Sequence, residues 1–560
     1  MSIFNVKFLD IKVIAEKSLN KKIITMAVSL ALLTACSDDS AVQSEVQNNG
    51  QSPGQNKTQS KIQGQLANNV DLLITNGTVY TGDSNQAQHL DVAICQKIIC
   101  GLYPSGDHTI KATKTIDATG KIVSPGFIDP HTHSLSELLS KDKNHNLNYL
   151  TQGVTTVVNG NDGGGPVDIA AMSEKLTSNG IGTNTALLVG HGSLREQVMG
   201  RAERYSTPAE LSEMSALLTT AMQAGAIGLS TGLYYVPGSY ANTDEVISLA
   251  KIASHYGGIY DTHLRDESTF NIGFTAALDE AINIADKADI HLHLAHIKAL
   301  GVDVWGQSEQ AIDKIEQAQK NGTSISADQY PWLASGTKLR SAVMPNWVMA
   351  DSTKAFHQRL KQADLAEKLA KEVTENIRRR GGPDSLYITE FTDTDLVGLN
   401  LLQVAELKNL AIVDTAIALI LEGDVRVASF NMSPKDVERF MVQPWVVTSS
   451  DGTNGHPRKY ASFPRKYQTY VVEKKLLTMA DFINRSSSQT AKILGLTERG
   501  MLKVGYKADV IVFDQQTFSP KATFSQWNNY SVGIEQVIVN GTLVIEDAQY
   551  KDILAGEFIQ

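Results

Sequence analysis

The chain has 560 residues, 42% of them hydrophobic and 20% charged, which are the proportions of an ordinary globular protein. A net charge of −10 with no basic tract argues against nucleic acid as a partner. The length accommodates an α/β barrel of about 250 residues, a second small domain and an insertion, and the mild acidity says nothing specific about a substrate.

At the N-terminus, Lys21 and Lys22 precede an apolar run over 23–35 that is too short to span a bilayer and ends in Leu33-Thr34-Ala35-Cys36. That is the pattern of a bacterial lipoprotein signal over 1–35, cleaved before Cys36 with lipid attached to that cysteine. A buried helix or an unlipidated signal peptide is the plainer alternative. Residues 36–69 are rich in Gln, Asn, Ser, Gly and Asp, cannot bury a core, and read as a disordered tether. Ser37 after the cysteine resembles lipoproteins sorted to the outer membrane. The expected location is therefore the cell envelope, facing the periplasm, with the lipid on Cys36 as the sole membrane contact.

Residues 70–122 show short alternating strands with turn signals and no long amphipathic helix, and the same texture returns over 503–560. Asn76-Gly77 and Asn540-Gly541, each between β-branched runs, predict two hairpins. Neither half has enough strands to close a core, so both chain ends should pair into one β-sandwich. Cys95 and Cys100 flank another hairpin; the spacing allows a bridge, but two unpaired small apolar residues are the favoured reading.

Between the ends, strands alternate with helical patterns such as 273–282, the signature of a parallel sheet. The expected fold is a (β/α)8 barrel over 123–339 and 441–502, interrupted by an inserted lid subdomain over 340–440. In that insertion Arg378-Arg379-Arg380 reads as a solvated helix end. Four apolar, β-branched runs end in His or Asp: Phe127-Ile128-Asp129-Pro130-His131-Thr132-His133, Tyr260-Asp261-Thr262-His263, Leu294-Ala295-His296 and Thr448-Ser449-Ser450-Asp451. Barrel strand ends converge on one face, so these residues should meet around a metal. Imidazole and carboxylate suit zinc, and zinc with an open position activates water for hydrolysis. Alternation along 290–296 sends His296 with Leu292 and Leu294, and turns His291 and His293 towards the helical layer.

The Pro125-Gly126-Phe127-Ile128-Asp129-Pro130-His131-Thr132-His133 segment resembles the first-strand signature of the amidohydrolase superfamily. Gly190-His191-Gly192-Ser193-Leu194-Arg195, Thr262-His263-Leu264-Arg265-Asp266-Glu267, Ala327-Asp328-Gln329-Tyr330-Pro331 and His456-Pro457-Arg458 are similar to the D-aminoacylase (N-acyl-D-amino-acid deacylase) family, over about residues 70 to 560. The resemblance implies cleavage of the amide of an N-acyl-D-amino acid to a carboxylate and a free D-amino acid, by attack of metal-bound hydroxide with Asp451 as general base and acid. It implies one or two Zn2+ ions, with Asp162, His263 and His296 as the tighter site and His131 and His133 as the second. The family usually carries a cysteine where this chain has Asp162, and the harder oxygen admits Mn or Fe. The resemblance also gives Lys298, Tyr330 and Arg458 to the substrate's α-carboxylate and Tyr235 to the scissile carbonyl, while His191 orders a loop. A dipeptidase that releases a D-residue, and a non-catalytic envelope binding lipoprotein, are the competing functions.

Overall fold

A computed structural model of the chain describes residues 69–106 and 109–560. The expected lipoprotein signal, Cys36 and the tether as far as residue 68 lie outside the described residues. Eight parallel strands form the barrel: β1 (Phe127–Asp129), β2 (Val154–Asn159), β3 (Asn184–Leu187, continued by Val189–Gly190), β4 (Gly228–Gly232), β5 (Ile259–His263), β6 (His291–Leu294), β7 (Ile325–Gln329) and β8 (Val446–Thr448). They pair in that order, and a parallel bridge from Thr132 to Gly452 closes β8 onto β1. That closure lets the Asp451 N–H donate to the His131 carbonyl at 2.9 Å, and so sets the two segments side by side.

The surrounding helices form where the sequence repeats at helical spacing. In Phe274–Ala288 the buried residues are Phe274, Ala277, Leu278, Ala281, Ile284, Ala285 and Ala288, a single stripe that packs on the barrel. Pro208–Gln223 begins with Pro at its first turn and a reciprocal Thr207–Glu210 capping box, which satisfies two otherwise orphaned N–H groups.

Both chain ends build one ten-stranded sheet, in which Val510–Phe513 pairs antiparallel with Ile122–Pro125. Ile74, Val92, Ile94, Val510, Val512 and Ile538 share its core. Asn540-Gly541 turns a hairpin between Ile534–Val539 and Thr542–Glu546. The hairpin expected at Asn76-Gly77 is not formed. Asn69–Thr75 and Thr78–Val79 both pair with Gln88–Cys95, at its two ends, so the chain kinks there and continues instead of reversing. Cys95 and Cys100, expected unpaired, form a disulfide. A bulge between the Ala93↔Gly101 and Ile94↔Ile99 pairs leaves Cys100 as the extra residue and brings it beside Cys95, with Cα atoms 5.7 Å apart.

The inserted subdomain begins with Ala334–Lys338, ahead of residue 340. That strand joins Arg426–Phe430 and Leu386–Glu390 in an antiparallel sheet backed by helices with their own core, including Leu369, Val373, Leu401 and Leu419. The following helix, Pro434–Met441, packs on the barrel helix Ser308–Lys320.

Candidate metal centre and active site

His131, His133, Asp162, His263, His296 and Asp451 meet at the C-terminal mouth of the barrel. His133, Asp162, His263, His296 and Asp451 line a cavity of about 280 Å³, and His131 lies fully buried beneath it. Two donor sets share Asp162: one with His131, His133 and Asp451, the other with His263 and His296. Asp162 Oδ1 lies 3.6 Å from His131 Nε2, 3.5 Å from His263 Nδ1 and 3.2 Å from His296 Nε2. Its Oδ2 lies 3.4 Å from His133 Nε2, which is itself 3.3 Å from Asp451 Oδ1.

The donors fit a divalent ion. Ligand atoms at about 2.1 Å from a tetrahedral ion lie about 3.4 Å from one another, the spacing seen across Asp162. Both His131 nitrogens are buried with no hydrogen-bond partner, and His263 Nδ1 faces His296 Nε2 at 2.9 Å. Two lone-pair nitrogens so placed need a proton or a cation between them. Asp162 therefore stands where a carboxylate can bridge two ions.

Local backbone supports the arrangement. Asp162, His296 and Asp451 all have positive φ, at 57°, 36° and 45°, a region non-glycine residues enter at a cost and mainly at functional sites. Gly160 and Gly165 let the loop after β2 press against the Leu188 carbonyl; a Cβ on either would come within 2.3 or 2.1 Å of that oxygen. The φ of His296 also explains a correction. Strand β6 stops at Leu294, so His296 swings into the mouth out of alternation. His291 and His293 face the barrel interior, not the helical layer: His293 Nδ1 lies 2.8 Å from Ser326 Oγ and its Nε2 3.0 Å from Asp328 Oδ2.

Carboxylates stand behind the imidazoles. Asp328 Oδ2 is 3.7 Å from His131 Nδ1, and Glu267 is 3.3 Å from His296 Nδ1 and 3.6 Å from His263 Nε2. A carboxylate in this place fixes which ring nitrogen carries the proton and frees the other for a metal. Burial pushes the Glu267 pKa up, but Lys298, whose Nζ is 2.6 Å away, and the two histidines bring it down to about 2. Burial likewise opposes ionisation of Asp451, and the Arg458 guanidinium, His296, His133 and His131 outweigh it and hold the carboxyl well below its usual range. Neither Glu267, Asp328 nor His293 was singled out as a site residue from sequence. The nearest signals were the Thr262–Glu267 and Ala327–Pro331 motifs.

The proposed carboxylate clamp converges in part. Arg458 and Lys298 line the cavity; Tyr330 does not, but its ring lies 4.7 Å from the Arg458 guanidinium and 5.8 Å from Lys298 Nζ. Arg458 NH1 is 2.7 Å from Asp451 Oδ2, and its NH2 donates to the Gly336 carbonyl at 3.1 Å. Tyr235 lines the cavity with its ring 4.7 Å from that of His263. His191 lies apart, its Nε2 2.8 Å from Glu245 Oε1 in a buried cluster with Arg195, and so orders the loop after β3. The arginine run is corrected at its last member. Arg378 is exposed and paired with Asp303, whereas Arg380, the residue capping helix Ala366–Arg379, is only 3% exposed and lines the cavity.

The amidohydrolase family model matches residues 114–380 and 422–545. The chain is 31% identical to N-acyl-D-aspartate deacylase of Alcaligenes xylosoxydans xylosoxydans, over 85% of this chain and 92% of that one. It is 29% identical to D-aminoacylase of the same organism, over 87% and 97%. The structure of N-acyl-D-glutamate deacylase from Bordetella bronchiseptica, complexed with zinc and a phosphonate mimic of the tetrahedral intermediate, superposes with a TM-score of 0.75 at 28% identity, covering 88% of this chain and 99% of that one.

Proposed function

This chain belongs to the D-aminoacylase family of the amidohydrolase superfamily, and we propose that it hydrolyses N-acyl-D-amino acids to a carboxylate and a free D-amino acid. The observation that carries this reading is the convergence of five metal-competent side chains around Asp162, beside a cavity that also presents Lys298 and Arg458. Zinc suits the imidazole and carboxylate donors, with Asp162 also admitting Mn or Fe, and when bound it acidifies water and polarises the scissile carbonyl.

The chain's own residues do the rest. Asp451, kept ionised by Arg458, accepts the proton of the attacking water on a carboxylate oxygen and returns it to the leaving nitrogen. Lys298 and Arg458 bind the α-carboxylate, and Tyr330 packs against both so that they hold their direction. Because Arg458 contacts Asp451 and lines the cavity, a bound carboxylate sets the scissile amide next to the proton acceptor. Tyr235 stands beside His263, where the carbonyl must lie. Glu267 and Asp328 set carboxylates behind the rings of His263, His296 and His131, at 3.3 to 3.7 Å, and Lys298 Nζ meets His296 Nδ1 at 2.7 Å, so that the ring nitrogens facing Asp162 are the ones directed at the cavity.

The test is turnover of N-acetyl-D-methionine, N-acetyl-L-methionine and a dipeptide with a C-terminal D-residue by the metal-loaded protein. Release of D-methionine from the first alone is the expected result. Preference for the dipeptide would transfer the reading to a D-residue dipeptidase, and no hydrolysis of any of them would sink it.

We also propose an envelope location, with lipid on Cys36. The Leu33-Thr34-Ala35-Cys36 sequence supports it, as does the Cys95–Cys100 disulfide, which belongs to an oxidising compartment. Palmitate labelling that survives in the Cys36→Ala protein would contradict it.

A further inference from the structure

We propose that the cavity favours substrates with a second carboxylate and that Arg380 binds it; this rests on the deacylase reading and gives it a preference for diacidic N-acyl-D-amino acids over those with one carboxylate. Five cationic side chains line the cavity: Lys298, Lys338, Arg380, Arg426 and Arg458. Four of them have a carboxylate close by. Lys298 has Glu267 at 2.6 Å, Lys338 has Asp424 at 2.7 Å, Arg426 has Glu390 at 3.9 Å and Arg458 has Asp451 at 2.7 Å. Arg380 has no carboxylate within 4 Å among the described residues, although it is only 3% exposed.

The partners of Arg380 are neutral. Its Nε donates to the Ala342 carbonyl at 2.8 Å, its NH2 reaches the Tyr234 hydroxyl at 3.4 Å, and its guanidinium carbon lies 5.3 Å from the centre of the Phe270 ring. Burying a charge without a counter-charge is unfavourable, and the cost is recovered where a ligand brings the opposite charge. The planar fork of a guanidinium matches a carboxylate through two parallel N–H donors, so a carboxylate is the ligand chemistry that suits it.

Position separates this subsite from the α-carboxylate clamp. The Tyr234 ring that Arg380 touches lies 5.7 Å from the ring of His263, so Arg380 stands one aromatic ring away from the metal-competent cluster. Arg458 and Lys298 instead flank Tyr330. Arg380 is held from the lid side: Asn376 Nδ2, one turn earlier, donates to the Val343 carbonyl at 3.0 Å, next to the Ala342 carbonyl that Arg380 itself uses. Its direction is therefore set by how the inserted subdomain packs. Lys338 and Arg426, directly opposite each other in the lid sheet, add positive potential along the same wall.

The second carboxylate has two chemical sources, the amino-acid side chain or the acyl group, and paired substrates distinguish them. N-acetyl-D-glutamate against N-acetyl-D-glutamine tests the first; N-succinyl-D-alanine against N-butanoyl-D-alanine tests the second. The metal-loaded wild-type protein should favour the acid in one pair by about tenfold or more in kcat/KM, and Arg380→Gln should cut that ratio about tenfold, mainly through KM. Arg380→Lys, which keeps the charge without the fork, should lower the same ratio by a smaller factor, and it carries the test if glutamine at 380 prevents folding. A wild-type protein that cleaves N-acetyl-D-methionine with no preference for the acid in either pair overturns this inference and leaves the deacylase reading standing. So does a preference that survives both substitutions. Failure to cleave any N-acyl-D-amino acid overturns the reading beneath it.

Discussion

Replacing Asp451 with asparagine should abolish turnover and also weaken the fold, for two separable reasons. The amide cannot take a proton, and loss of a positioned acid/base group typically costs about 100- to 10,000-fold in rate, or about 2.7 to 5.5 kcal/mol of transition-state stabilisation. The second effect follows from the buried pair with Arg458, which is 1% exposed and lies 2.7 Å from Asp451 Oδ2. Stranding one member of such a pair costs about 3 to 5 kcal/mol. With an unfolding entropy of about 2.1 cal/mol/K per residue, that is a fall in Tm of about 3 to 5 °C for a folded unit of this size. The asparagine carbonyl still accepts from the guanidinium, which favours the lower end. The double variant Asp451→Asn/Arg458→Gln should regain part of the lost Tm while staying inactive. Amine release and thermal unfolding, run on the wild type and the single and double variants, measure the two effects. More than about a tenth of wild-type turnover in Asp451→Asn would refute the proton role. A double variant no more stable than the single one would refute the charge-pair argument.

Glu267→Gln should weaken metal binding about 10- to 100-fold, read by chelator competition, because the carboxylate behind His263 and His296 is lost; unchanged affinity would make Glu267 only a partner of Lys298. Asp162→Cys should retain metal and Asp162→Ala should lose most of it, since one carboxylate faces all four imidazoles; equal retention by both would reduce Asp162 to a loop residue. Glu245 gives a pH-dependent stability. Burial alone would raise its pKa, but His191 and Arg195 bring it down to about 2. Burial lowers the His191 pKa from its usual value against the pull of Glu245, and Arg195 is the permanent cation of the cluster. The contribution of Glu245 is thus fully present above its unfolded value of about 4.3 and lost as pH falls towards 2, so Glu245→Gln should lower Tm at pH 7 and flatten its acid limb between about pH 5 and 2. Parallel acid limbs for the two proteins would contradict this.

The strand-end histidines were legible because a barrel places the ends of distant strands together, so His131, His133, His263 and Asp451 each betray a strand that stops at the mouth. His296 was legible for the right motif and the wrong geometry. Strict alternation ends with β6 at Leu294, two residues before His296, and the positive φ at His296 reverses the directions inferred for His291 and His293. Asp328 meets His131 and Glu267 meets His296 through contacts between distant segments, which no local pattern displays, whereas Glu267 lies only four residues beyond His263. The Asn76-Gly77 dipeptide carries a hairpin signal, but the long partner strand Gln88–Cys95 offers pairing on both sides of the kink and wins. Cys100 was misread because its approach to Cys95 depends on one bulged residue. Arg380 sits in a charged run that looks solvated in sequence, and only the packing of the lid against the barrel buries it.

The central claim is that the Asp162 cluster hydrolyses amides through a bound metal. Metal content and turnover of N-acetyl-D-methionine, measured on the same sample before chelation, after chelation and during stepwise return of Zn2+, test it most directly. Turnover should fall to background with the metal and return in step with the first equivalents of Zn2+ bound. Undiminished turnover in metal-free protein would contradict the account.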